Sequence, residues 1–111
     1  MEKYWPLAVL VLWFSYKFYQ SQRIRRLLPE LRRRGAFLLD VRSSGEFELG
    51  HALDTRNIPL HELKDRLSEI PRGVPVVVCC ASGTRSGMAA YLLKKQGITE
   101  VYNIGPWTRL K

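Results

Sequence analysis

The chain has few residues that could form disulfides or hold a structural metal ion. Its 111 residues include two cysteines, Cys79 and Cys80, and two histidines, His51 and His61. Adjacent cysteines rarely form a disulfide with each other, because that bond needs Cα atoms about 5.5 Å apart. The sequence therefore excludes a disulfide-stapled secreted fold for the monomer and favours a reducing compartment. It also lacks Cys-x-x-Cys pairs and the histidine spacing of a zinc finger, so we expect no metal site.

Acidic residues are scarce, and the resulting positive charge is concentrated at one end of the chain. Eighteen Lys and Arg residues against ten Asp and Glu residues give a formal net charge of +8. Residues 1–34 hold eight basic and two acidic residues, whereas residues 35–111 hold ten and eight. A nucleic-acid-binding domain would carry its positive charge on the folded surface, so this pattern argues against nucleic acid as a partner. A basic cluster beside an apolar segment instead favours a position at a membrane.

Long hydrophobic runs are missing apart from one segment near the N-terminus. Residues 4–19 are mostly apolar or aromatic, and no charged residue occurs between Tyr4 and Tyr16. Sixteen helical residues extend about 24 Å, against about 30 Å for the hydrocarbon core of a bilayer. The aromatic flanks and Lys17 extend the segment towards the two interfaces. We therefore predict a transmembrane or anchor helix with a basic juxtamembrane segment in residues 1–28, and a membrane contact through residues 4–19.

Two alternatives for this segment remain open. One is a cleaved signal peptide, although a strongly basic start and a small-residue cleavage site are both missing. The other is a helix buried against a partner protein. Because nearly all the basic residues follow the apolar run, the positive-inside rule predicts a single-pass membrane protein whose C-terminal domain faces the cytoplasm. Residues 29–111 are predicted to form that domain.

The globular part alternates between strand-like and helix-like patterns. Short apolar runs predict strands, and apolar residues at spacings of three and four predict helices. Ser43 followed by Glu46 predicts a capping box at the start of the first of these helices. The predicted strands cover residues 36–42, 52–58, 74–79 and 99–103, and the predicted helices cover residues 43–49, 60–70 and 85–96. This alternating order predicts an α/β fold with a mostly parallel sheet.

The strongest candidate site follows the most apolar strand. Residues 74–79 end in a cysteine, and a short loop at residues 81–84 then leads into a helix that begins at Arg85. In α/β folds, sites lie beyond the carboxyl ends of the strands. The loop amides and the start of the helix would together stabilise an anion there, and a thiolate is such an anion. The sequence therefore predicts a reactive cysteine at this loop.

Either cysteine could be the nucleophile, and the two choices predict different chemistry. Counted from Cys80, the pattern is Cys-x4-Arg, a six-residue loop that fits a sulfur adduct. Counted from Cys79, the pattern is Cys-x5-Arg, the loop length of thiol phosphatases and arsenate reductases. A strand that extends through Cys79 leaves Cys80 as the first loop residue. We therefore favour Cys80 and expect Cys79 to pack into the sheet.

An ordered set of short motifs runs through the domain. These are LDVR at residues 39–42, EF at 46–47, GH at 50–51, NIPL at 57–60 and VVVCCASGTRS at 76–86. The set resembles the rhodanese-like (sulfurtransferase) family, and the resemblance covers roughly residues 30–104. It implies an α/β three-layer sandwich with a five-stranded parallel sheet, here preceded by the N-terminal apolar helix.

The resemblance also implies a reaction. Cys80 would take sulfur from a donor such as thiosulfate, hold it as a persulfide, and pass it to cyanide, a small thiol or a cysteine of an acceptor protein. No metal or organic cofactor is implied. The loop residues would stabilise the persulfide through their amides, and the last of them would close the loop; they are Ala81, Ser82, Gly83, Thr84 and Arg85.

Three further residues are candidates for supporting the site. Asp40 and Arg42 end a predicted strand near it, where they would orient the loop or form a structural ion pair such as Arg42 with Glu46. Ser86 begins the following helix and would assist the thiolate or simply cap the helix. A non-enzymatic function also remains open, in which the domain is a sulfur carrier or docking module at a membrane.

Overall fold

The computed structural model describes residues 5–111, in which helices and strands alternate after one long helix. That helix is α1 (Trp5–Arg33). The following elements are β1 (Phe37–Asp40), α2 (Ser44–Leu49), β2 (Thr55–Asn57), α3 (Leu60–Leu63), β3 (Val76–Cys80), α4 (Thr84–Lys95) and β4 (Val101–Pro106). Short 3₁₀ helices occur at Leu67–Glu69 and Trp107–Leu110. The capping box that the sequence predicts is present at the start of α2.

The strands form one parallel sheet in the order β2-β1-β3-β4. All five residues of β3 are buried, and this strand lies between β1 and β4. An apolar strand with both faces covered is typical of a parallel sheet flanked by helices. The predicted α/β fold with a parallel sheet is therefore confirmed. Among the described residues the sheet has four strands, where the resemblance implied five.

Apolar side chains on the two faces of the sheet form two separate cores. One of them, the α4-side core, contains residues from α4 and alternate residues of β1 and β3, including Leu39, Val78, Cys80 and Leu93. The other, the α1-side core, contains Leu28, Leu31, Val77, Cys79 and Ile104. Neighbouring residues of β3 enter different cores because successive side chains of a strand point to opposite faces. The sheet is thus the middle of three layers.

Strands β1, β2 and β3 differ from their predicted ranges by one to three residues at each end, and two further segments depart from the prediction as well. Residues 60–70, predicted as one helix, are divided between α3 and a 3₁₀ helix, because Arg66 and Glu69 donate to carbonyls three residues earlier. Leu63 and Ile70 still reach the α4-side core, so the apolar spacing is satisfied by successive turns. Strand β4 runs from Val101 to Pro106, beyond the predicted end at residue 103.

Helix α1 extends past the predicted end of the N-terminal segment, and its two parts have different surroundings. The helix is continuous across the predicted boundary between residues 28 and 29. Leu28 and Leu31, on either side of that boundary, are both buried in the α1-side core. In its first part the large apolar side chains are more than half exposed, at positions 5, 7, 9–14, 16, 18 and 19. Tyr4, where the predicted membrane contact begins, lies outside the described residues.

The predicted transmembrane anchor in residues 1–28 is not supported, nor is the predicted N-terminal apolar helix. Within residues 5–111, no helix combines the length and the apolar character needed to cross a bilayer. The reason lies in the composition of α1. Its uncharged run contains several Tyr and Trp residues and gives way to Lys17 and Arg23 before it reaches the length that a membrane span needs.

Candidate active site

The two adjacent cysteines lie at the carboxyl end of β3 and face opposite sides of the sheet. Cys80 belongs to the α4-side core and Cys79 to the α1-side core. Both thiols are free, and both residues are fully buried. Cys80 pairs with Pro106 of β4, so it is the last residue of the strand. The prediction that made Cys80 the first residue of the loop was therefore wrong by one position.

The Cys80 thiol is surrounded by hydrogen-bonding groups from the start of α4. The N–H of Gly83 donates to Cys80 Sγ over 2.9 Å, and Ser86 Oγ lies 3.3 Å from the same sulfur. Burial raises the pKa of the Cys80 thiol, but bonds from the Ser86 side chain and from the amides of Ser86, Gly83 and Ser82 outweigh it and lower the pKa below its usual value. The site therefore stabilises a thiolate, which is the nucleophilic form of cysteine.

The loop between β3 and α4 presents its backbone to the sulfur. Gly83 has a φ of 109°, in the region that favours glycine, and this conformation directs its N–H at Cys80. A Cβ atom at Gly83 would approach the Cα atom of Gly105 to 3.4 Å. Ala81, Ser82 and Thr84 are exposed, so backbone amides are what this loop offers to an anion at the thiol.

Asn103 of β4 belongs to the site, although it was not among the predicted site residues. Ser86 Oγ donates to Asn103 Oδ1 over 2.6 Å, and the N–H of Gly105 donates to the same oxygen over 3.0 Å. Asn103 Nδ2 donates to the carbonyl of Gly83 over 3.3 Å. The signal in the sequence is a single amide side chain in a mostly apolar strand, since buried polar groups need hydrogen-bond partners.

Arg85, in the first turn of α4, is held by a carboxylate of α2. Its two Nη atoms donate to Glu46 Oε1 and Oε2 over 2.6 and 3.0 Å. The bond from Arg85, together with bonds from Ser43, lowers the pKa of Glu46 to about 2. The structure thus pairs Glu46 with Arg85, where the sequence suggested Arg42, and Arg85 ties the loop to α2 through this pair.

Asp40 and Arg42 form a buried ion pair at the carboxyl end of β1. Arg42 Nε and Nη2 donate to the Asp40 carboxylate over 2.8 to 3.0 Å, and Nη2 also donates to the carbonyl of Gly50 over 2.7 Å. The guanidinium carbon lies 4.6 Å from the ring centre of Trp107. The pair therefore joins the end of β1, the end of α2 and the C-terminal 3₁₀ helix, which is a structural role.

Cys79 has properties opposite to those of a nucleophile. Burial raises the pKa of its thiol far above the usual range, and the Asp40 carboxylate raises it further. Its side chain packs in the α1-side core with Leu38 and Val77. A thiol that is neutral and faces away from the loop does not fit a Cys-x5-Arg phosphatase or arsenate reductase.

An open cleft of about 320 Å³ lies beside Arg85. Its wall is mostly apolar, and it is lined by Val41, Ser43, Pro59, Leu60, His61 and Arg85. Within residues 5–111, no group of three or more His, Cys, Asp or Glu side chains is placed to hold a metal ion. The groups that the structure places at the site are the Cys80 thiol and the hydrogen-bond donors around it.

Comparisons with known proteins fit this geometry. The chain is 42% identical over 101 residues to the uncharacterized protein YqhL of Bacillus subtilis, which covers 87% of this chain and 80% of YqhL. It is 37% identical over 75 residues to the thiosulfate sulfurtransferase GlpE of Ectopseudomonas mendocina, which covers 68% of this chain and 69% of GlpE. YrkF of Bacillus subtilis, whose name suggests a sulfur carrier, is 40% identical over 72 residues, 65% of this chain and 39% of YrkF.

A solved structure and a family model agree with these relatives. The structure of a rhodanese with anions from E. coli superposes with a TM-score of 0.63 at 33% identity, covering 67% of this chain and 89% of that one. The family model described as a rhodanese-like domain matches residues 24–105, which include β1 to β3, β4 except for Pro106, and both cysteines. The chain therefore belongs to the rhodanese-like domain family.

Proposed function

We propose that this chain is a sulfurtransferase that carries sulfane sulfur as a persulfide on Cys80. Its family and its relatives support a role in sulfur transfer in general. The single observation that carries the choice of Cys80 is the Gly83 N–H, 2.9 Å from its sulfur. A fixed amide donor at this distance stabilises negative charge on the thiolate, and the same amide would stabilise the charge of a persulfide.

The reaction proceeds in two displacement steps. First, the Cys80 thiolate attacks the outer sulfur of the donor; with thiosulfate, the S–S bond breaks, sulfite leaves with the electron pair, and Cys80 becomes a persulfide anion. A nucleophile such as cyanide then attacks the outer persulfide sulfur, leaves as thiocyanate, and regenerates the Cys80 thiolate. A small thiol or a protein cysteine can take the place of cyanide. This division into two steps is covalent catalysis, and neither step requires a metal or an organic cofactor.

The charges around the site favour a donor of low charge. The side chains of residues 81–84 are uncharged. The two nearby guanidinium groups are already paired, Arg85 with Glu46 and Arg42 with Asp40. A dianion such as thiosulfate would therefore find backbone amides at the thiol but no unpaired cation among these residues. We infer that a persulfide is a better donor than thiosulfate.

Sulfur loading followed by cyanide treatment tests the assignment. After incubation with thiosulfate or a small persulfide, the intact mass should increase by one sulfur atom, and cyanide should release that atom as thiocyanate. We expect Cys80→Ser to abolish both signals and Cys79→Ser, the matched control on the other face of β3, to retain them. The reverse pattern would overturn the proposal.

A sulfur carrier is the second candidate, and the likeness to YrkF is the observation that favours it. In this case the domain would take up one sulfur atom and pass it on only to its partner protein. The two candidates differ in turnover. With donor and cyanide in excess, an enzyme releases many equivalents of thiocyanate per chain, whereas a carrier without its partner releases about one.

We also propose that the first part of α1 inserts into the headgroup region of a membrane without crossing the bilayer. The large apolar side chains of residues 5–19 are more than half exposed, and Lys17, Arg23, Arg25 and Arg26 follow on the same helix. Apolar and aromatic side chains enter the interfacial region, and each basic residue near an anionic surface contributes about 1 kcal/mol. Because anionic lipids are concentrated in the cytoplasmic leaflet, the domain would lie on the cytoplasmic side.

Co-sedimentation of the full chain with lipid vesicles tests this localisation. We expect binding to vesicles that contain phosphatidylglycerol, weaker binding to phosphatidylcholine alone, and weaker binding at high salt. The double substitution Trp13→Glu/Phe14→Glu should abolish binding. Leu49→Glu is the matched control, because Leu49 is 92% exposed but lies in α2. Recovery of the wild-type chain in the supernatant with anionic vesicles would contradict the proposal.

A further inference from the structure

We propose that Asn103 is a positioning residue that competes with the Cys80 sulfur for the single hydroxyl proton of Ser86. The proposal rests on Cys80 being the nucleophile, as proposed above. Ser86 Oγ lies between the two competitors, 2.6 Å from Asn103 Oδ1 and 3.3 Å from Cys80 Sγ. A serine hydroxyl has one proton, so it can donate to one of them at a time.

The orientation of the Asn103 amide is determined by two backbone groups. The N–H of Gly105 can only donate, so the atom that it contacts over 3.0 Å must be the oxygen, Oδ1. The carbonyl of Gly83 can only accept, so the atom that contacts it over 3.3 Å must be the nitrogen, Nδ2. Ser86 therefore faces an acceptor on Asn103 and donates its proton to it.

The direction of the Ser86 proton depends on the charge of the sulfur. While Cys80 is a neutral thiol, its S–H can donate to the free lone pair of Ser86 Oγ, and the Ser86 proton stays with Asn103. When the thiol loses its proton to solvent, the hydroxyl rotates and donates to the thiolate. The S–H bond is the one covalent bond broken in this change. Ionisation of Cys80 therefore includes the loss of the bond between Ser86 and Asn103.

The rotation leaves no buried acceptor without a partner. Asn103 Oδ1 keeps the N–H of Gly105 when Ser86 turns away. The exchange therefore replaces a bond between neutral groups by a stronger one to a charged sulfur, while the competition from Asn103 reduces the net gain. Asn103 thus lowers the fraction of Cys80 that is ionised. It also holds the Ser86 hydroxyl beside the sulfur, so that this hydroxyl can turn and donate once the sulfur is charged.

The other charged and titratable groups near Cys80 are not part of this competition. Arg85 of α4 is paired with Glu46 of α2, and Asp40 of β1 is paired with Arg42. Cys79, the preceding residue of β3, has a raised pKa and faces the α1-side core. These groups stay unchanged in variants of Ser86 and Asn103, so changes in the ionisation of Cys80 report on the competition.

Titration of the Cys80 thiolate by its ultraviolet absorbance tests the proposal, in a Cys79→Ala background with one thiol. We expect Asn103→Ala to raise the thiolate fraction about two- to tenfold at a pH where most of the thiol is neutral, which is the effect of one neutral hydrogen bond. Ser86→Ala should lower the fraction, because the donor is lost. Asn103→Ala should have no further effect in the Ser86→Ala background. The loop should stay in place, since the N–H of Gly87 also bonds to the Gly83 carbonyl, over 2.9 Å.

Asn57→Ala is the matched control. Like Asn103, Asn57 is an amide that ties backbone together in the sheet, since its Nδ2 donates to the carbonyls of Asp40 and Arg42, but it lies on the far side of β1. It should leave the titration unchanged. A thiolate fraction that is unchanged or lower in Asn103→Ala, or an increase that persists without Ser86, would overturn the proposal. Failure of the proposed function would look different: sulfur would not load onto Cys80 in the wild-type chain, whatever the titration shows.

Discussion

Arg85 and Glu46, which are 39 positions apart in the chain, form a two-bonded ion pair between the first turns of α4 and α2. The pair places a cation and an anion together beside the loop that follows Cys80. Glu46 in turn is held by the Ser43 side chain in the capping box of α2. The charge of Arg85 is therefore compensated before any substrate arrives.

Glu46→Gln should improve the use of thiosulfate as a donor. Without the carboxylate, the charge of Arg85 is free to attract a dianion. Because the Arg85 side chain is partly exposed, we expect the KM for thiosulfate to fall about two- to fivefold, the effect of an exposed ion pair worth up to about 1 kcal/mol. The KM for a small persulfide should change less. Glu48→Gln, an exposed position in the same helix, is the control. An unchanged KM for thiosulfate would show that the Arg85 guanidinium does not interact with the bound donor.

The same ion pair should make folding stability depend on acidic pH. The pKa of Glu46 is about 2 in the folded chain, below the ordinary value of 4.5. A lowered pKa contributes stability above the ordinary value, and this contribution is lost as the pH falls towards 2. In low salt, the Tm difference between the wild type and Glu46→Gln should therefore shrink as the pH falls from about 5 to about 2. A difference independent of pH would contradict this prediction.

Asp40→Ala should be strongly destabilising. It leaves the Arg42 charge 4% exposed and without its carboxylate partner, which typically costs about 3–5 kcal/mol. Urea unfolding measures the loss. Adding Arg42→Met should recover part of the stability, because it removes the buried charge that Asp40→Ala leaves without a partner. A small effect of Asp40→Ala alone would mean that water reaches the guanidinium.

Gly83→Ala should reduce both stability and sulfur loading. A side chain is strained at a φ of 109°, at a cost of about 1–3 kcal/mol, and relief of this strain would move the N–H away from Cys80 Sγ. Gly73→Ala is the matched control, since Gly73 has a φ of 82° and nothing within 4 Å of an added Cβ. The control should lose stability by strain but still load sulfur. If both variants load the same amount of sulfur, the Gly83 amide does not contribute to sulfur transfer.

The type of most elements could be predicted because it depends on local patterns. The apolar run before Cys80 predicts a buried strand, and Ser43 with Glu46 predicts the start of α2; both are present. The end of β3 was predicted one residue too early, at Cys79, because a strand ends where its pairing with the neighbouring strand ends. Pairing of Cys80 with Pro106 depends on β4, which comes more than 20 residues later.

The sequence by itself determined the parallel α/β fold and the amide-rich loop after β3, because periodicity, capping residues and glycine act over a few neighbouring positions. Only the tertiary structure decided which charges and polar groups meet at that loop. Arg85 could have paired with several carboxylates, and Asn103 was one amide in a strand, until the sheet order brought β4 beside β3. A register shift opposite Val78 and Cys79 then sets Gly105 beside Cys79, with its N–H on Asn103. Such contacts depend on the packing of distant segments, which no local pattern records.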